Sequence, residues 1–86
     1  MNKESIENII FNIFREKKFL GNLEKNDDFF DLGVSSLTII ELQIMVEEAL
    51  EVEVLTNVLM SSPTIKEWVD VYTSKVVNKE LTESGV

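Results

Sequence analysis

The sequence contains no cysteine and no histidine. Without cysteine, the chain can form no disulfide framework, no thiolate nucleophile and no thiolate metal site. Without histidine, it lacks the commonest general base and the commonest transition-metal ligand. Two adjacent serines, Ser35 and Ser36, therefore have no histidine to activate them, and no lysine lies near them in sequence. We expect no catalysis by this chain and no metal site.

Basic residues are missing from the middle of the sequence. Between Lys25 and Lys66 there is no lysine or arginine, and the acidic residues of this segment account for the entire net charge of −8. Such a surface would repel phosphate backbones and anionic membranes, so we expect neither a nucleic-acid nor a membrane partner. It would attract proteins that present basic surfaces. A surface that only keeps the protein in solution is the alternative explanation of the same charge.

Long apolar runs are also absent. The N-terminal residues lack the apolar core of a signal peptide, and no run approaches membrane-spanning length, so we expect a cytoplasmic protein. A chain of 86 residues has room for one domain and one core. Its hydrophobic content of 44% is typical of a globular fold and too high for a disordered chain.

Apolar residues recur at helical spacing in three long segments. The first predicted helix runs from about Lys3 to Phe19, with Asn2 as its cap, and the second runs from about Ser36 to Glu51. The last opens with the capping box Thr64-Ile65-Lys66-Glu67. With a short helix near 56–60, this pattern predicts an all-α, four-helix bundle made of three main helices and one short helix.

The connections and the end of the chain are polar. We expect a loop over 20–35 that tucks its few apolar residues under the helices, with room for one short helical turn. The domain is predicted to cover residues 1–77. Residues 78–86, NKELTESGV, are predicted to form a polar, frayed C-terminal tail.

The second predicted helix is apolar on two sides. One side is a normal core face, formed by Ile39, Leu42, Val46, Ala49 and Leu50 with Met45 at its edge. The other side mixes apolar and acidic residues: Leu37, Ile40, Ile44, Glu41, Glu47, Glu48 and Glu51. Unpaired carboxylates are costly to bury, so we expect this second side to face a partner. Burial of the helix on both sides is the alternative.

The two serines are predicted to have different roles. Ser35 suits the N-cap of the second helix, where its hydroxyl accepts an amide of the first turn. Ser36 then falls at the first helical position with its hydroxyl pointing outward. The helix N-terminus there offers unpaired N–H groups and a partial positive charge, which favour a phosphate. Alternatively, both serines only cap the helix and form the turn.

Residues 27–48, DDFFDLGVSSLTIIELQIMVEE, resemble the attachment region of acyl and peptidyl carrier proteins. Those families carry phosphopantetheine on the serine of a Gly-x-x-Ser-Leu motif, which reads Gly33-Val34-Ser35-Ser36-Leu37 here. The acidic and aromatic residues 28–32 and the step Pro63-Thr64-Ile65 also fit, and the likeness covers roughly residues 5–77.

This resemblance implies a carrier-protein bundle in which Ser36 bears 4'-phosphopantetheine, which makes the chain a phosphoprotein. A magnesium-dependent phosphopantetheinyl transferase would transfer the arm from coenzyme A, and the terminal thiol would hold an acyl or aminoacyl group as a thioester. Gly33, Ser35 and Leu37 would complete the attachment motif. Basic grooves on the transferase, on loading enzymes and on downstream enzymes would contact a docking face formed by Leu37, Ile40, Glu41, Ile44, Glu47 and Glu48. We expect a monomer.

One position departs from the common family pattern. Ser35 stands where many carriers of fatty acid synthesis have an acid and many peptidyl carriers have histidine. Residues 29–33, which precede the serines, resemble the same stretch of polyketide and nonribosomal peptide carriers more than that of a fatty-acid carrier. With its own Met1 and tail, the chain is expected to be free-standing. The alternative function is an unmodified acidic helical adaptor that binds one protein through its second helix. It explains the charge but not a free hydroxyl at Ser36.

Overall fold

A computed structural model describes residues 1–84 of the chain. These residues form four α-helices, α1 (Lys3–Arg15), α2 (Ser36–Leu50), α3 (Thr56–Met60) and α4 (Ile65–Ser84), and they contain no strand. A 3₁₀ helix, Lys18–Leu20, lies between α1 and α2. The prediction of an all-α bundle with three main helices and one short helix is confirmed.

Helix α1 begins as predicted and ends early. The Asn2 side chain accepts a hydrogen bond from the Ser5 amide at 2.8 Å, which confirms the cap. The helix stops at Arg15 rather than near Phe19, because Lys17 adopts an extended conformation with φ −77° and ψ 118°. The chain then tightens into the 3₁₀ helix.

Helix α4 runs further than its apolar pattern indicates. Its first turn is capped by Thr64, whose hydroxyl accepts from the Glu67 amide at 3.1 Å. The prediction of a frayed tail after residue 77 is wrong for residues 78–84, which are helical. Lys79 Nζ donates to the carbonyl of Glu51 at 2.8 Å, and this bond ties the extension of α4 to the end of α2. Residues 85–86 of the tail lie outside the described part, and the domain boundary at residue 77 stays a prediction.

The core lies between α1, α2 and α4 and is centred on aromatic rings. Phe14 of α1 packs edge-on against Trp68 of α4, with ring centroids 4.9 Å apart. Phe29 from the α1–α2 connection packs against both rings, and its centroid lies 5.5 Å from Phe14 and 6.0 Å from Trp68. All three side chains are fully buried. The two edge-to-face pairs with Trp68 add to the stabilisation that burial of the rings provides.

The α1–α2 connection is fastened to the start of α4. The Phe29 amide donates to the carbonyl of Pro63 at 2.9 Å, and the Lys66 amide donates to the carbonyl of Lys25 at 2.9 Å. The Asp28 carboxylate accepts from the amides of Phe30 and Asp31 at 2.9 and 3.1 Å. No helix forms between Gly21 and Ser35, and the chain makes single hydrogen-bonded turns there, such as the bond from the Gly33 amide to the Phe30 carbonyl at 3.0 Å. These bonds fix the approach of the chain to α2, where the candidate site lies.

Candidate functional site

The turn that delivers the chain to α2 depends on Gly33. This residue has a φ of +87°, which side-chain-bearing residues rarely adopt. A Cβ atom placed there would meet no atom within 4 Å, so the backbone conformation and not the available space requires glycine. The following residue, Val34, is buried at 5% exposure and anchors the turn in the core.

The two adjacent serines are in different environments. Ser35 has extended dihedral angles, and its Oγ accepts a hydrogen bond from the Thr38 amide at 3.2 Å. Its Oγ also lies 3.2 Å from the Thr38 hydroxyl. The N-cap prediction for Ser35 is therefore confirmed. Ser36 is the first residue of α2 and is exposed, and its hydroxyl forms no hydrogen bond within residues 1–84.

The start of α2 is suited to a phosphate group. The first turn of α2 contains no acidic residue. The first amides of an α-helix have no acceptor within the helix, and together they produce a partial positive charge. A phosphodiester on the Ser36 hydroxyl would be stabilised by both effects. The residues present at this site therefore fit a covalently attached phosphate ester.

Beyond Ser36, α2 has an inner and an outer face. The inner face, formed by Ile39, Leu42, Val46 and Leu50, is buried in the core. The outer face is formed by Leu37, Ile40, Glu41, Ile44 and Glu48, all of them exposed. Its apolar members are 67%, 41% and 53% exposed at Leu37, Ile40 and Ile44. The exposure predicted for the second apolar side of this helix is therefore observed.

Two residues of α2 differ from the predicted inner face. Ala49 is exposed, although its position in the helix predicted burial. Gln43, which the apolar pattern left out, is only 7% exposed. The reason is that the chain between α2 and α3 crosses α2 on the side of Gln43, whose amide nitrogen donates to the carbonyl of Val54 at 3.2 Å.

The outer-face carboxylate Glu41 pairs with a base from outside the acidic segment. Lys17 Nζ lies 2.8 Å from Glu41 Oε2. Both side chains are partly exposed, so solvent screens the pair and it contributes little to stability. Glu41 and Glu48 remain accessible on the surface.

Glu47 is half-buried and is not part of the exposed outer face, and its predicted contact with partners stays a prediction. Its Oε2 atom accepts hydrogen bonds from Gln43 Nε2 at 3.1 Å, from the Val54 amide at 3.1 Å and from the Tyr72 hydroxyl at 3.0 Å. The carboxylate is thus held between α2, the α2–α3 connection and α4. An unsatisfied carboxylate is costly in a half-buried position, and these donors offset that cost.

Tyr72 is a polar partner that the sequence pattern did not reveal. Burial raises the pKa of its phenol far above the ordinary value, and the hydrogen bond to Glu47 and the negative charge of that carboxylate raise it further. The phenol therefore stays protonated and donates to Glu47. The spacing of Gln43 and Glu47 places these two side chains on one side of the helix, but no signal in the sequence pairs Tyr72 with them.

Two other kinds of site are absent from the described part of the chain. No helix within residues 1–84 is long and apolar enough to cross a membrane. In the same range, no three acidic side chains come together as a group that could hold a metal ion.

Comparison with known proteins identifies one family. A family model described as a phosphopantetheine attachment site matches residues 17–71, which is more than half of the chain. The matched range contains Gly33, both serines, α2 and α3. No curated protein and no solved structure gives a match.

Proposed function

Because this chain belongs to the phosphopantetheine attachment family, we propose that Ser36 is the residue that receives its prosthetic group. The family consists of non-catalytic carriers that hold 4'-phosphopantetheine covalently and interact with a phosphopantetheinyl transferase and with biosynthetic enzymes. The observation that carries the assignment is the contrast between neighbouring hydroxyls. The Ser35 hydroxyl is engaged by Thr38, whereas the Ser36 hydroxyl is exposed and unbonded within the described residues.

The chemistry of the carrier follows from a thiol that the polypeptide itself lacks. When bound, 4'-phosphopantetheine supplies a terminal thiol that holds an acyl or aminoacyl group as a thioester. The chain has no cysteine, so no side chain of its own competes for that cargo. Gly33 and Ser35 shape the turn and cap that present Ser36 at the start of α2, and Leu37 follows on the surface.

The outer face of α2 is the proposed docking surface for partner enzymes. It lies on the same helix as Ser36, so a partner seated on it would approach the attachment point. Its carboxylates, Glu41 and Glu48, would attract basic surfaces on the transferase, on the loading enzyme and on downstream enzymes. The exposed side chains of Leu37, Ile40 and Ile44 would enter apolar pockets there. Contacts that form and release repeatedly suit a small surface of this kind.

The pathway is proposed from the sequence that leads into the attachment turn. Residues 29–33, FFDLG, are similar to the lead-in of polyketide and nonribosomal peptide carriers. The proposed cargo is therefore an acyl or aminoacyl intermediate of such a pathway, and the proposed working form is a cytoplasmic monomer.

The attachment residue is tested by the mass of the intact protein after co-expression with a promiscuous phosphopantetheinyl transferase. We expect the wild type and Ser35→Ala to gain the mass of the arm and Ser36→Ala to gain none. Circular dichroism should show equal helical content in all three proteins. Modification that persists in Ser36→Ala would contradict the assignment. A wild type that never gains mass would favour the unmodified adaptor instead.

A further inference from the structure

We infer that Glu47 is a positioning residue of the docking surface: it holds the α2–α3 connection so that Leu55 and Ile44 line the same groove. The inference rests on the proposed function, because it takes the outer face of α2 to be the surface that partners contact. It assigns Glu47 a role through hydrogen bonding, whereas Glu41 and Glu48 act through their charge.

The side chains of Gln43, Glu47, Thr56 and Tyr72 form one hydrogen-bonded polar cluster. Glu47 accepts from the Val54 amide, and Gln43 Nε2 donates to the Val54 carbonyl at 3.2 Å. Gln43 Oε1 in turn accepts from the Thr56 hydroxyl at 2.9 Å, at the first residue of α3. Both backbone polar groups of Val54 and the start of α3 are thus attached to α2.

This cluster determines where the next apolar side chain lies. Leu55 follows Val54 directly and is 71% exposed. Leu55 and Ile44 line the same open groove, which has a volume of about 1070 Å³ and runs between α2, the α2–α3 connection and α4. Residues 52–55 are neither helix nor strand. The buried side chain of Val52 anchors this segment in the core at one end, and the hydrogen bonds to Val54 hold it further along. Loss of the Glu47 acceptor would therefore let Leu55 leave its place in the groove.

The geometry separates this role from that of a docking charge. All three hydrogen bonds reach the same atom, Oε2. A glutamine at this position could place its carbonyl oxygen where Oε2 lies, and it would keep the acceptor while losing the charge. The neighbouring Glu48 is exposed and lines the same groove, so it is a matched control for charge alone.

The first test is steady-state kinetics of Ser36 modification by a phosphopantetheinyl transferase, with the carrier as the varied substrate. We expect Glu47→Ala to raise KM about tenfold and to change kcat less than about twofold. Leu55 would no longer be held in place, which weakens binding of the transferase but does not alter the chemical step at Ser36. Glu47→Gln should stay within about threefold of the wild type. Glu48→Ala and Glu48→Gln should raise KM equally, and that increase should vanish at high salt.

The second test is hydrogen exchange at the Val54 amide, measured on the same proteins. Glu47→Ala should speed exchange at least about tenfold, because the carboxylate is the acceptor of that amide. Tyr72→Phe, which removes one donor to Glu47 and keeps the ring, should give a smaller change in the same direction. It serves as the second variant if Glu47→Ala fails to fold. Glu48→Ala should leave the rate unchanged.

Two results would overturn the inference. Equal, salt-sensitive effects of Glu47→Ala and Glu47→Gln on KM would make Glu47 a docking charge. Faster exchange at Val54 with an unchanged KM would make the cluster a purely structural feature. Failure of the proposed function looks different, since the wild type would then not be modified at Ser36 while the order of the exchange rates stayed as expected.

Discussion

The inner and outer faces of α2 contain similar apolar residues, but the inner face is buried and the outer face is exposed. Ile39, Leu42 and Val46 are completely buried, whereas Leu37, Ile40 and Ile44 are between 41% and 67% exposed. Hydrophobicity alone does not separate the two sets, since both contain leucine or isoleucine. The difference lies in their neighbours, because acidic residues interrupt only the outer face. Glu48 and the solvent-exposed pair of Glu41 with Lys17 favour water, and they keep the apolar side chains beside them at the surface.

Glu47 shows the limit of this reasoning. It carries the same charge as Glu48 and follows Val46 directly, yet its carboxylate points to Tyr72. A carboxylate therefore marks an exposed face only where the fold brings no buried or half-buried donors to it. The predictions below probe this contrast along α2, from the largest expected effect to the smallest.

The largest effect is expected from one substitution placed on each face. Val46→Asp puts an unpaired charge in the core, which costs several kcal/mol, and should unfold the bundle. Ile44→Asp adds a charge at an exposed position and should change the free energy of unfolding by less than about 0.5 kcal/mol. Thermal melting followed by circular dichroism compares the two variants. Equal collapse of both would mean that α2 is buried on both sides in solution.

An intermediate effect is expected at the first turn. Ser35→Ala removes the hydroxyl that accepts the Thr38 amide and should lower stability by about 1 kcal/mol. Ser36→Ala removes an unbonded hydroxyl and should change stability by less than about 0.5 kcal/mol. Urea denaturation of the unmodified proteins gives both values. Equal losses would show that the cap does not distinguish the two serines.

The smallest effect is expected at the last turn and has opposite signs at two glutamates. Glu51 ends α2 in the left-handed conformation, with φ 56° and ψ 38°. Glu51→Gly relieves that strain and should raise the free energy of unfolding by about 0.5 kcal/mol. Glu48→Gly replaces a good helix former in α2 and should lower it by about 0.5 kcal/mol. Urea denaturation measures the free energy of unfolding of both variants. A loss of stability in Glu51→Gly would show that the left-handed conformation of Glu51 carries no strain.

Local features of this protein could be predicted from the sequence because they depend on residues close together along the chain. The caps at Asn2, Ser35 and Thr64 each bond an amide three residues further on. Such a bond needs only the right side chain at the right spacing. The different environments of Ser35 and Ser36 follow from the same short-range rule. The attachment motif at residues 33–37 is readable for this reason.

The tertiary structure alone decided which helix sides meet and which polar groups join them. Tyr72 reaches Glu47 across 25 residues of sequence. No spacing rule connects them. The crossing of the α2–α3 connection over Gln43 rather than Ala49, and the helical course of residues 78–84, also depend on distant contacts. A helical projection gives the direction of each side chain around the helix axis. The packing of neighbouring elements determines which of these side chains are buried.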